Sequence, residues 1–325
     1  MSGEKEYTFD EMIDYKEGDR GFKVKAEDTY GYITISTLPV TYKTIPGPSL
    51  TLTESTIFAG TDAKKGVPVQ IESVRGVHEV VIYRIENGSE VEALRETKNG
   101  EHTLNYAPEI DFTEATSKLK VVVSDGREGK EAIGYMKAYV NMDVATLNVG
   151  SQPLANNAHV KYPDAFGMVS LNDLKTYSVD YAIANEVNAK NVDFKFYCFG
   201  ASGSPRLYSM DNTGKDGEFS GSTGKLSAIK VKNLTRFAIL SNFDYENATV
   251  ASISSEILSS SIAQSLQDPI AVGNVIAFRT GGSSAAGGGR IGVMKVINIT
   301  EPKELVSNNA TARVMTVEIK FPKKK

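Results

Sequence analysis

Side chains able to do chemistry are few and scattered in this chain of 325 residues. The three histidines, His78, His102 and His159, share no motif. None stands in a His-Glu-x-x-His run or beside paired cysteines, so no zinc site is signalled. A serine nucleophile elbow needs Gly-x-Ser-x-Gly between a strand and a helix. The nearest segment, Gly200-Ala201-Ser202-Gly203-Ser204, lacks its second glycine at the required place and precedes no helical pattern. Among 40 acidic residues no pair is marked out for glycoside hydrolysis. The glycine-rich run at 281–289 lacks the Gly-Lys-Ser/Thr ending and following helix that a phosphate cradle requires. It reads as a flexible hairpin tip leading into Ile291-Gly292-Val293. The expectation is a protein that is not an enzyme and carries no cofactor or metal.

The segment most suited to recognition is the polar stretch 204–218, which follows a hydrophobic strand. It combines Arg206 and Tyr208 with Asp211, Asn212 and Asp216, and these five are the candidate binding residues. Long loops on a rigid β scaffold often carry recognition. The plainer reading is a solvated connection. Calcium is not indicated, because the third and fifth positions counted from Asp211 are Thr213 and Lys215, where oxygen ligands are wanted. Tryptophan, well suited to stacking on a pyranose face, is absent, but 15 tyrosines could substitute.

Composition sets the frame for these residues. With 41% apolar and 23% charged residues, the chain can build an ordinary core without metals or disulfides. A net charge of −4 and the lack of a long basic stripe exclude nucleic acid as the expected partner. The closing Lys323-Lys324-Lys325 reads as a solvated end. The single cysteine, Cys198, shares a strand face with Phe194 and Phe196 and reads as a small buried hydrophobe. No apolar run reaches the ~18 residues that would span a bilayer, and the polar start shows no signal peptide.

The positioning elements follow a repeat. Ile13-Asp14-Tyr15 recurs as Ile110-Asp111-Phe112, Phe22-Lys23-Val24-Lys25-Ala26 as Leu119-Lys120-Val121-Val122-Val123, and Asp28 as Asp125, each 97 residues on. That period is near the ~100 residues of one immunoglobulin-like sandwich. Alternation puts Phe22, Val24 and Ala26 inward and Lys23, Lys25 and Glu27 outward. Pro46-Gly47-Pro48 marks a boundary. Strands are expected at 49–53, 67–74, 78–85, 90–95 and 102–106, with Asn87-Gly88 and Asn99-Gly100 as hairpin turns. Beyond 142 they are expected at 177–183, 192–199, 228–231, 237–240, 275–278, 291–299 and 314–321. One helix is expected from Val250 to Leu266, ended by Asp268-Pro269. The reading is all-β: tandem immunoglobulin-like sandwiches, the first truncated (1–44) and the second whole (45–141), then a larger sandwich or jelly-roll-like domain (142–325) with one short helix. A short N-terminal strand extension is the rival reading of 1–44.

The repeated module, with Lys-Leu-Lys-Val-Val-Val-Ser-Asp-Gly at 118–126, resembles the immunoglobulin-like domains of Bacteroidetes surface lipoproteins. Asn191-Val192-Asp193-Phe194-Lys195-Phe196-Tyr197, the stretch from Gly273 to Thr280, Gly292-Val293-Met294-Lys295-Val296 and Thr316-Val317-Glu318-Ile319-Lys320 look like an uncharacterised β domain of such proteins. The resemblance implies export, a lipid anchor outside this sequence, and a cell-surface or periplasm-facing place near glycan-uptake systems. No lipid-attachment cysteine stands in these residues. The expected function is a non-catalytic, monomeric surface module that binds polysaccharide in a nutrient-uptake setting. The alternative is a structural or adhesive spacer that binds another surface protein.

Overall fold

The computed structural model describes residues 21–39, 45–259, 262–267 and 269–324. The repeat segment Ile13-Asp14-Tyr15 lies outside the described residues. Strands β1 (Gly21–Glu27) and β2 (Ile33–Pro39) form an antiparallel hairpin. Its turn is fixed by the Asp28 carboxylate, which accepts from the backbone N–H groups of Tyr30 and Tyr32, both at 2.9 Å.

The next stretch is an immunoglobulin-like sandwich. Its strands are β3 (Ser49–Leu52), β4 (Thr56–Ala59), β5 (Lys65–Gly66), β6 (Val69–Glu72), β7 (Glu79–Glu86), β8 (Ser89–Thr97), β9 (Thr103–Tyr106), β10 (Glu109–Ile110), β11 (Thr116–Ser124) and β12 (Ala132–Val140). One sheet runs β3-β6-β9 and the other β4-β12-β11-β7-β8. Only β4 pairs parallel, along β12. This strand order, with two sheets and crossing connections, is the immunoglobulin arrangement. Leu119, Val121 and Val123 on β11 are fully buried against Ile71, Ile82 and Ile57. Each such burial contributes roughly 1.5–3 kcal/mol. Asn87 and Gly88 take φ of 50° and 83° in the two-residue β7–β8 hairpin, as a type I′ turn demands. Asn99-Gly100 makes no hairpin: the strands on either side, β8 and β9, lie in different sheets.

The third region is a second sandwich, and its strand pairs are all antiparallel. One sheet orders β13 (Met142–Gly150), β22 (Val314–Pro322), β21 (Ile291–Ile299), β20 (Val275–Arg279) and β18 (Arg236–Leu240). The other orders β15 (Lys175–Tyr177), β14 (Met168–Ser170), β16 (Phe194–Phe199), β17 (Ser204–Ser209) and β19 (Ser265–Leu266). Phe194, Phe196, Cys198 and Leu207 meet Phe278, Met294, Val317 and Phe321 between the sheets. Cys198 is fully buried as expected, and burial pushes its thiol up to about 12.

Several local expectations are corrected. Segment 177–183 is not a strand: β15 ends at Tyr177, and α1 (Val179–Ala184) starts from a Ser178 cap whose hydroxyl accepts from Tyr181 N–H at 3.1 Å. A second helix, α2 (Glu186–Lys190), follows at once. Segment 228–231 is no strand either, since a 3-10 turn at Leu226–Ala228 occupies its start. The long helix is α3 (Val250–Ser259), and Ser265–Leu266 is strand β19, paired with β17. Apolar spacing carried the helical pattern past its end because Leu266 serves the sandwich instead. The run 281–289 is no free tip: Ser284 and Ala286 are buried, Ala285 N–H donates to Lys190 O at 2.8 Å, and Ser283 Oγ to Asn233 Oδ1 at 2.7 Å.

Candidate functional site

Strand β16 is buried on both faces, because α1, α2 and the 3-10 segments lie over the face that alternation assigns to water. On that covered face stand Lys195 and Tyr197, with Phe199 at the open end. Antiparallel pairing sets Tyr208 beside Lys195 and Arg206 beside Tyr197. The 204–218 stretch is therefore only partly loop: 204–209 is strand β17, and Thr213–Glu218 is a 3-10 helix packed over β16.

This packing decides what the five candidate residues do. Asp216 is buried, and its Oδ1 receives Lys195 Nζ at 2.7 Å. Lys195 Nζ also donates to the carbonyl of Asn212 at 2.8 Å and of Ser209 at 3.4 Å. Burial pulls the Lys195 amine down, while Asp216 works against that fall. Asp211 pairs with Arg236 through two contacts of 3.0 and 2.9 Å. Tyr208 is buried, edge-on to Tyr197 at 5.4 Å between ring centroids. Of the five, Arg206 is half-buried against Phe199: its guanidinium lies 4.1 Å from the centroid of that ring, and its Nε is buried with no hydrogen-bond partner among the described residues.

Beyond Phe199 opens a groove of about 1050 Å³. Phe199 is 40% exposed and forms its apolar patch. Lys215 Nζ stands 5.4 Å from the same ring and pairs with Glu218 at 2.9 Å. Glu218 also accepts from the Tyr197 hydroxyl at 2.7 Å. Burial, with Glu218 beside it, pushes Tyr197 up to about 12. Amide and hydroxyl groups of Asn157, Ser220 and Asn309 complete the exposed lining. Gln152, also in the lining, is already spent: its amide bonds the N–H and C=O of Cys198 at 2.9 and 2.7 Å, in place of a neighbouring strand. The wall at 220–224 is held by Asp180, which accepts from backbone and hydroxyl of both Ser222 and Thr223. Those bonds keep its carboxyl well below the usual carboxylate range.

The groove is thus lined by residues that sequence reasoning did not select, Phe199, Lys215, Glu218, Asn157 and Asn309 among them, and Arg206 meets it only through its contact with the Phe199 ring. Phe199 closes an apolar strand run and looks like core. Asn157 and Asn309 come from distant connections that only the fold brings together. Among the described residues, no three or more His, Cys, Asp or Glu side chains converge as a metal site.

No protein-family model matches the chain. No curated protein matches it. One similar solved structure is that of the N-terminal eight immunoglobulin domains of Down syndrome cell adhesion molecule, at 8% identity and a TM-score of 0.21, over 87% of this chain and 36% of that one. The chain thus spans about a third of that structure's length. The sandwich assignment stands on strand order and pairing in this chain.

Proposed function

We propose that this chain is a non-catalytic, monomeric surface module whose C-terminal sandwich binds glycan in the groove beside β16, in a nutrient-uptake setting. One observation carries the reading: an exposed ring, Phe199, set in an open groove among amides, hydroxyls and the Lys215 cation. A sugar ring offers a C–H face to an aromatic side chain and a rim of hydroxyls to polar groups. The resemblance to surface lipoproteins supports the exported setting. Affinity electrophoresis against a panel of plant and host polysaccharides tests the proposal. The wild-type chain should be retarded by at least one of them. Phe199→Ala should weaken that binding about tenfold, as loss of a stacking partner would. Silence across the panel, or full binding by Phe199→Ala, would refute the assignment.

A second reading has its own observation. The outer face of the immunoglobulin-like sandwich exposes Phe58, Ile133 and Tyr135 on the neighbouring strands β4 and β12. An adhesive contact with another surface protein would use such a patch. Capture of one saturable outer-membrane protein, lost on Tyr135→Asp, would favour it.

A further inference from the structure

We propose that the buried Lys195 and Asp216 side chains condense, within the folded chain, into an amide bond that staples the 3-10 segment Thr213–Glu218 to strand β16. The two groups are already in contact. Lys195 Nζ stands 2.7 Å from Asp216 Oδ1, with the lysine side chain closed off from solvent and the aspartate 2% exposed. An ammonium carries three protons. Here two of them go to backbone carbonyls, those of Asn212 at 2.8 Å and Ser209 at 3.4 Å. The third points at the carboxylate, and so does the lone pair left when that proton is transferred. Burial pulls this amine down towards its neutral form, and a desolvated lysine amine is a nucleophile. The carboxylate is half satisfied. Oδ1 holds the lysine, while Oδ2 is buried with no hydrogen-bond partner among the described residues. Lys232 Nζ stands 3.9 Å from that second oxygen.

In the newly folded chain the two groups are an ion pair. One Nζ proton passes to Oδ1, which leaves a neutral amine beside a carboxylic acid. The nitrogen lone pair attacks Cγ, forming the N–C bond as the Cγ–Oδ2 π pair moves onto Oδ2. Negative charge therefore develops on the oxygen that faces Lys232, whose ammonium stabilises it. As that pair folds back, the Cγ–Oδ1 bond breaks, and Oδ1 takes a second Nζ proton and leaves as water. One ammonium and one carboxylate become one neutral amide and one water. Nothing is oxidised or reduced, and no further reactant is consumed. The fold supplies the proximity that a condensation between separate molecules lacks. Condensation also removes two charges that are costly to keep out of water. A site closed to solvent withholds the water that would reverse the step. The bond fixes the segment that carries Lys215 and Glu218 to β16, whatever the groove binds.

Peptide mapping by mass spectrometry tests this on the 325-residue chain, newly folded and then held for days at neutral pH. Most molecules should lose one water. Trypsin should then release a branched peptide in which 191–206, uncut at Lys195, is joined to 216–225 through the Asp216 side chain. The same chain kept in urea should retain its full mass, because the reaction needs the folded geometry. Lys195→Met and Asp216→Ala should each remove the branched peptide. The wild-type map decides the matter on its own if either variant does not fold. A folded wild-type chain that keeps its full mass and is cut by trypsin after Lys195 overturns the proposal. So does a lost water without a branched peptide, or one that persists in Lys195→Met. Either result marks ring closure at an Asp-Gly step such as Asp216-Gly217, where the glycine nitrogen attacks instead.

Discussion

Lys195 and Asp216 meet at 2.7 Å with the lysine side chain wholly out of water and the aspartate nearly so. Desolvating two charges costs several kcal/mol each, and the pair is tolerable because Nζ finds three oxygens. The second carboxylate oxygen of Asp216 has no hydrogen-bond partner, and Lys232 Nζ is 3.9 Å away. Removing one partner strands the other. Lys195→Met should therefore lower unfolding stability by about 3–5 kcal/mol, and adding Asp216→Leu should recover much of the loss. Urea titration of both variants checks this; equal losses in the single and double variants would contradict it. The same pair anchors the 3-10 segment that carries Lys215 and Glu218, so Lys195→Met should also loosen the groove. Asp216 shows why a sequence misleads at this scale. An aspartate in a polar stretch looks like a ligand group, and only the lysine on a neighbouring strand reveals it as internal scaffolding.

Strands were legible where one face is wet. On β11, Leu119, Val121 and Val123 alternate with less buried residues, and the immunoglobulin-like sandwich follows from that pattern. Asn87-Gly88 likewise announced its hairpin through its need for positive φ. The strand at 192–199 was legible too, as β16, but not the cover over its second face, because Lys195 and Tyr197 alternate with the apolar set as wet residues would. The short helices α1 and α2, at 6 and 5 residues, span too few turns for a helical period to register. Their caps, Ser178 and Asn185, were the available clue. Groove residues failed for another reason: a site assembled from four separate connections leaves no spacing to read. Close packing inside the C-terminal sandwich makes a further prediction. Gly292 on β21 lies opposite Phe278, and a Cβ there would sit 2.3 Å from the Phe278 ring and 2.8 Å from that of Phe321. Both rings are buried and close to one another, with centroids 5.3 Å apart. Gly292→Ala should cost about 1–3 kcal/mol through overpacking, read as a shift in denaturation midpoint. An unchanged midpoint would mean that the rings give way freely.

The two sandwiches are joined through one residue, Asn141, between the end of β12 and the start of β13, with φ of 50°. Around it the junction is built from both sides. Tyr139 of β12 shares an apolar cluster with Tyr245, Ile253 and Val293. Lys320 Nζ is buried between the Tyr139 and Tyr245 rings, 5.1 and 4.3 Å from their centroids, and donates to Tyr245 O at 2.5 Å. Burial brings this amine down to about 8. Glu246 ties the units directly, accepting from Lys137 of the first sandwich at 2.7 Å and from Lys295 of the second at 3.0 Å. Those two lysines hold its carboxyl down to about 2. An unfolded glutamate titrates near ~4.3, so the stabilisation is complete above that pH and fades as pH falls towards 2. Because the Glu246 side chain is 54% exposed, screening reduces each contact to about 0.5–1 kcal/mol. Glu246→Gln should cost about 1–2 kcal/mol at pH 7 and low salt, and the difference from wild type should shrink in 1 M salt and below about pH 3. The loss should fall on the coupling between units rather than on either core. Calorimetry should then resolve one joint transition into two. A variant that melts in a single transition, with the same acid dependence as wild type, would show that the apolar cluster around Tyr139 holds the sandwiches together without the ion pairs.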